Sequence, residues 1–128
     1  MKVAFTSRSG DIIDTHFGQA RLFHVWDIAP DSADFVETLT VDGEDLDEED
    51  RISARARILS GCAIVYTVAI GGPAAAKLVA RKIHPMKTND EVPVAEIVAK
   101  LQEVLGGNPP PWLRKAMNRE GAAAFDEE

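Results

Sequence analysis

The run "CAIVYTVAI" at 62–70, held between Gly61 and the pair Gly71-Gly72, constrains the fold more than any other stretch of the chain. It is uncharged, too short for most helices and rich in Val, Ile and Tyr, so it reads as a strand covered on both faces and the centre of a sheet. Helical patterns lie on either side of it. In "DEEDRISARARILSG" (47–61) the acids sit at the positive end of a helix, Ile52, Ala56 and Leu59 share one face, and Gly61 supplies the left-handed residue at the C′ position. "GGPAAAKLVARK" (71–82) places a proline in the first helical turn and directs Ala76, Leu78 and Val79 toward the sheet. "VAEIVAKLQEVLGG" (94–107) spaces Val94, Ile97, Val98, Leu101, Val104 and Leu105 as one apolar stripe.

The remaining strands come mostly first. "KVAFTS" (2–7), "RLFHVWDI" (21–28) and "DFVETLTV" (34–41) alternate apolar and polar positions, and the turn "APDSA" makes the last two antiparallel neighbours. "KIHPMKT" (82–88) is a short closing strand that Pro85 confines to an edge or a bulge. Strands followed by alternating helix and strand predict an α/β layered fold with a mixed sheet of about five strands. With 128 residues, 45% of them hydrophobic, there is material for one core. The expected organisation is an α/β domain over 1–107 and an appendage over 108–128, where "NPPPWLRKAM" carries a stiff proline run and one aromatic anchor.

Composition removes several functions. The net charge is −7, with acid concentrated in "DGEDLDEED" (42–50) and in the terminal "FDEE", so a phosphate backbone is repelled and nucleic acid is not an expected partner. The acidic run reads as a solvated loop or, alternatively, as a docking surface for a basic partner. No apolar run approaches the ~20 residues of a bilayer-spanning helix, and "MKVAFTSRSG" has no signal-peptide core, so a cytoplasmic protein without membrane contact is expected. The single cysteine, Cys62, forms no internal disulfide and no four-ligand cysteine cage. Any cluster bound here must arrive largely assembled.

His16, in "DIIDTHFGQA", is the residue with most chemistry to offer. It reads as an inert turn residue, as a general base working with Asp11 or Asp14, or as a ligand to a metal centre. Gly18 beside it lets backbone approach a bulky ligand, and Gly71-Gly72 at a helix start suits an anion. Neither a Walker motif nor a dinucleotide fingerprint is present. If strand 2–7 pairs with the 62–70 run, His16 and Gly71 to Pro73 become neighbours. His24, in mid-strand, reads as a packed sheet residue. Cys62 is either a small buried hydrophobe or a thiolate ligand, and Met86 either fills core or adds a soft contact. Arg51, Arg55, Arg57, Lys77, Arg81 and Lys82 are placed to balance an anionic cargo or simply to solvate helix faces.

The segments "KVAFTS" with "DTHFGQARLFHVWDI", "GCAIVYTVAIGGPAAAKLVARKIHPMK" and "LQEVLGGNPPPWLRKAM", in that order, resemble the dinitrogenase iron-molybdenum cofactor biosynthesis family. The resemblance implies a three-layer, ribonuclease-H-like α/β fold and a non-enzymatic carrier. Its cargo would be an iron-sulfur precursor of the iron-molybdenum cofactor, of the NifB-cofactor type, bound transiently and passed from NifB toward a NifEN-type scaffold. It further implies His16 as first ligand and His84 as second; the reading of the residues adds Cys62 as third, with Phe17, Gly18, Gly71 and Gly72 around the cargo. Two other readings compete. A nuclease of ribonuclease-H type needs converging carboxylates, for which the strands offer only Asp27; a docking or regulatory domain would use the acidic loop and "PPPWLRK" and bind no cluster.

Overall fold

Both faces of the opening strand are buried, and the architecture follows from that. The computed structural model describes residues 1–41 and 47–117, so most of the acidic loop and the tail from 118 onward lie outside the described residues. The chain runs β1 (Lys2–Thr6), β2 (Ile12–Ile13), a 3-10 turn (Phe17–Gln19), β3 (Leu22–Ala29), β4 (Ser32–Thr40), α1 (Glu48–Ile58), β5 (Ile64–Thr67), α2 (Gly72–Ala80), β6 (His84–Lys87), β7 (Val92–Pro93) and α3 (Val94–Gly106). The main sheet has five strands in the order β4-β3-β1-β5-β6. β1 and β3 are antiparallel, as are β3 and β4, whereas β1, β5 and β6 are parallel.

The mixed sheet is the one expected, with a correction to its centre. β1 is the middle strand and β5 stands beside it, because the β3–β4 hairpin adds two strands on one side of β1 while β6 alone closes the other. β5 is also shorter than the apolar run. Val68 and Ala69 leave the sheet to bond the loop around His16, Val68 donating to the Thr15 carbonyl at 3.2 Å and Ala69 accepting from Phe17 N at 2.9 Å. Pro85 lies on the edge strand as anticipated. His84 N donates to Ala63 O at 2.8 Å, so by alternation the N–H that Pro85 lacks would have pointed away from β5.

Helices cover both faces and make three layers. On one face α1 and α2 pack Ala56, Leu59, Ala74 and Leu78 against Ala4, Phe23, Val25 and Val65. On the other, α3 packs Val94, Val98, Leu101 and Leu105 against Val3, Phe5, Ile64 and Tyr66. The α1 start is capped by Asp47, whose carboxylate accepts from Asp50 N at 2.8 Å, a contact of the kind that stabilises a helix by about 1 kcal/mol. Gly61 takes its left-handed backbone (φ +96°) two residues beyond the Leu59 cap, one further on than expected. The expected face of α2 is corrected as well. Ala74 and Leu78, four apart, are buried, which turns Ala76 outward and leaves Val79 59% exposed.

Two further features were not legible. β2 and β7 form a separate ladder of two residues each, too short to show any alternation. Residues 111–117, expected within an appendage, are helical and bury Leu113 and Ala116 in the α3-side core. Trp112 from this helix stacks on His84, ring centroids 3.8 Å apart and planes 12° from parallel.

Burial of His84 holds its pKa below the ordinary histidine value. The unfolded chain therefore binds this proton more tightly than the folded one, so stability is lost as pH falls through the ordinary range toward the lowered folded value. Urea midpoints followed by tryptophan fluorescence should drop more between about pH 7 and about pH 5 in the wild type than in His84→Gln. Equal drops would show that His84 carries no such linkage.

Candidate functional site

The loop after β1 is fixed on both sides of His16. The Thr15 carbonyl accepts from Thr6 Oγ1 at 2.8 Å, Thr67 Oγ1 at 2.9 Å and Val68 N at 3.2 Å, which ties the loop to the C-terminal ends of both β1 and β5. One residue past His16, Phe17 is fully buried, edge-on to Phe23 at 5.7 Å between centroids. His16 itself has extended backbone (φ −73°, ψ 146°) and precedes the 3-10 turn, its carbonyl accepting from Gln19 N at 3.1 Å. Its imidazole is exposed and makes no hydrogen bond among the described residues. The chain thus holds a ring with both nitrogens available on a backbone that cannot wander.

Of the two carboxylates expected as partners of His16, Asp11 and Asp14, the second is occupied elsewhere. Asp14 accepts from the Arg8 backbone N–H at 3.1 Å and from the Thr15 hydroxyl at 2.7 Å, with the Arg8 guanidinium 3.6 Å away. It braces the loop and leaves the imidazole alone. The preceding turn is held from beneath by His24, as a packed sheet residue should: Nε2 donates to Ser7 O at 2.9 Å and Nδ1 bonds Thr38 Oγ1 at 3.0 Å. Gly10, at φ +92°, passes directly over that ring, where an added Cβ would come within 3.4 Å of His24 Cε1.

His16 stands on the wall of a cavity of about 590 Å3 together with Ser7, Arg8, Asp14, Arg21 and Thr40. Gly18 and Gly71 line a second cavity of about 330 Å3 with Arg51, Arg55 and Pro73. Gln19 belongs to both walls. Pairing of β1 with β5 does bring His16 and the α2 start to the same end of the sheet, but they line different cavities that share Gln19. A Cβ at Gly18 or Gly72 would meet nothing within 4 Å, so the backbone at both is accessible.

The other residues expected at the site lie elsewhere. Phe17 faces the core and anchors the loop from behind. Cys62, 7% exposed, precedes β5 and therefore sits at the opposite end of the sheet from His16. His84 opens β6 in register with Ile64, again at that far end, and lies on the α3 face under Trp112. His84 and Cys62 thus stand at the other end of the sheet from His16. Arg8, Arg21 and Gln19 were overlooked as cavity residues; the only sequence signal for them is their closeness to His16. Among the described residues no three His, Cys, Asp or Glu side chains converge to cage a metal ion. A lone imidazole can instead give one bond to the edge of a preassembled cluster.

Fold and loop together define a class: a small three-layer α/β domain that displays one exposed histidine at the C-terminal edge of a mixed sheet. Residues 1–104 match the family model described as "Dinitrogenase iron-molybdenum cofactor", and the chain belongs to that family, within its NifX and NifY branch. It is 44% identical over 133 residues to protein NifX of Herbaspirillum seropedicae, covering 100% of this chain and 90% of that one. To protein NifY of Azotobacter vinelandii it is 39% identical over 120 residues, covering 94% of this chain and 49% of that longer protein. Among solved structures, PH0822 superposes with a TM-score of 0.60 at 20% identity, covering 80% of this chain and 89% of the other, and so shares the fold. Membership ties the chain to assembly of the nitrogenase iron-molybdenum cofactor. Among the described residues no helix is long and apolar enough to cross a membrane.

Proposed function

We propose that the chain is a carrier that takes up an iron-sulfur precursor of the iron-molybdenum cofactor, of the NifB-cofactor type, and releases it to the next assembly protein without a chemical step of its own. The observation that carries this reading is the free imidazole of His16, on a loop braced by Thr6, Thr67 and Phe17, beside a cavity of about 590 Å3. An open coordination position on a cluster iron accepts an imidazole nitrogen, and a single such bond is readily reversed. Reversibility suits a protein that must both accept and give. Arg21 and Arg8, the latter facing Asp14, bring cationic groups to the same wall for an anionic sulfide cluster. His84 and Cys62 play no part in this site. NifB as donor and a NifEN-type scaffold as acceptor complete the proposal.

The docking alternative loses one of its elements, because Trp112 of "PPPWLRK" is spent on His84. The test is anaerobic titration of the purified apo protein with isolated cofactor precursor, followed by gel filtration and iron analysis. Iron eluting with the protein is expected. No iron at any ratio of precursor would overturn the carrier reading and leave a docking domain.

A further inference from the structure

The second cavity has a chemistry of its own. Arg55 is 6% exposed, yet its charge faces no carboxylate among the described residues. Nε donates to Ala20 O at 3.1 Å and Nη1 to Arg51 O at 3.2 Å, while Nη2 makes no hydrogen bond among the described residues and Arg55 lines the cavity. A buried guanidinium is costly unless paired, because burial removes the water that would have screened it. Arg51 lines the same cavity, and its side chain also makes no ion pair among the described residues. Burial first, and then the like charges of Arg51 and Arg21, depress the Arg55 pKa, so cationic side chains gather here on a chain of net charge −7.

The start of α2 faces the same space. Gly71 is the N-cap and offers no side-chain oxygen, and Pro73 at the second helical position has no N–H, so the donors of the first turn are Gly72 N and Ala74 N. Both lack an intrahelical acceptor, and the helix dipole places partial positive charge behind them. Gly71, Pro73 and Ala74 line the cavity together with Arg51 and Arg55. Helix-start amides, the remaining Arg55 Nη2 donors and the Arg51 guanidinium around one cavity are complementary to anionic oxygens in a way they are not to a neutral or cationic group.

We infer that this cavity is an oxyanion site, taking the phosphate or carboxylate oxygens of a small anion between Arg55, Arg51 and the Gly72 and Ala74 amides, separate from the His16 cavity. It goes beyond the carrier reading, and its test contains no cluster, so either can fail alone. The ¹⁵N-labelled apo full chain is titrated with inorganic phosphate, with succinate and with sodium chloride at matched ionic strength. Saturable movement of the Gly72 and Ala74 amide resonances with phosphate or succinate is expected, and the stronger of the two arms identifies the class. Arg51→Gln, an exposed change that leaves the core intact, should weaken the binding about tenfold. Movement no greater than with chloride, or unchanged affinity in Arg51→Gln, would overturn the site.

Discussion

His16→Ala should lower affinity for the cofactor precursor on the order of 100-fold or more, since even partners that only orient a metal ligand are worth 10- to 100-fold. Stability should change by less than about 0.5 kcal/mol, because the ring is exposed and hydrogen-bonded to nothing among the described residues. Circular dichroism, thermal unfolding and anaerobic co-elution of iron, run in parallel on variant and wild type, separate the two effects. A folded variant that keeps its iron would remove His16 from the site. A variant that unfolds would show that the ring has packing partners this account does not give it.

Phe17→Ala should be the most damaging change in the loop, for the opposite reason. The ring is fully buried against Phe23, and truncating such a side chain costs about 3–5 kcal/mol through lost transfer energy and the cavity left behind. The same ring holds the backbone one residue beyond His16, so the loss should spread to the loop. Hydrogen exchange at Phe17 N, which donates to Ala69 O at 2.9 Å, reports that directly. Denaturant unfolding should show the destabilisation, and cargo affinity at temperatures where the variant remains folded should fall as well. Phe17→Leu, which keeps most of the volume, should retain both. Native cargo affinity in folded Phe17→Ala would mean that the loop needs no anchor to present His16.

What was legible in the sequence was local. The apolar run at 62–70 and the stripe of Val94, Ile97, Val98, Leu101, Val104 and Leu105 are strong periodic signals, and they became a strand and a helix as expected, although Val104 is 39% exposed. Strand order was not legible, because alternation states which faces are buried and not which strand lies alongside. The hairpin of β3 and β4 therefore moved the centre of the sheet to β1. Residues 111–117 read as an appendage because a proline run precedes them and the apolar positions are few; their burial depends on the α3-side core, a tertiary fact. At the site, His16 was legible as a loop histidine followed by glycine. The separation of His84 and Cys62 from it was partly legible too. In a parallel set, a residue that opens a strand lies at the end away from one that follows a strand, and Cys62 and His84 open theirs while His16 follows β1. That Arg55 faces no carboxylate among the described residues had no such signal, since its surroundings depend on where Ala20, Arg51 and the α2 start meet.

The central claim is a bond between the His16 imidazole and the cargo. Pulsed electron paramagnetic resonance of protein loaded anaerobically, with the cluster poised in a paramagnetic state, reads that bond as a nitrogen hyperfine coupling. The coupling should change with ¹⁵N-histidine labelling, vanish in His16→Ala and persist in His84→Ala. A coupling that survives in His16→Ala, or is lost in His84→Ala, would contradict the account.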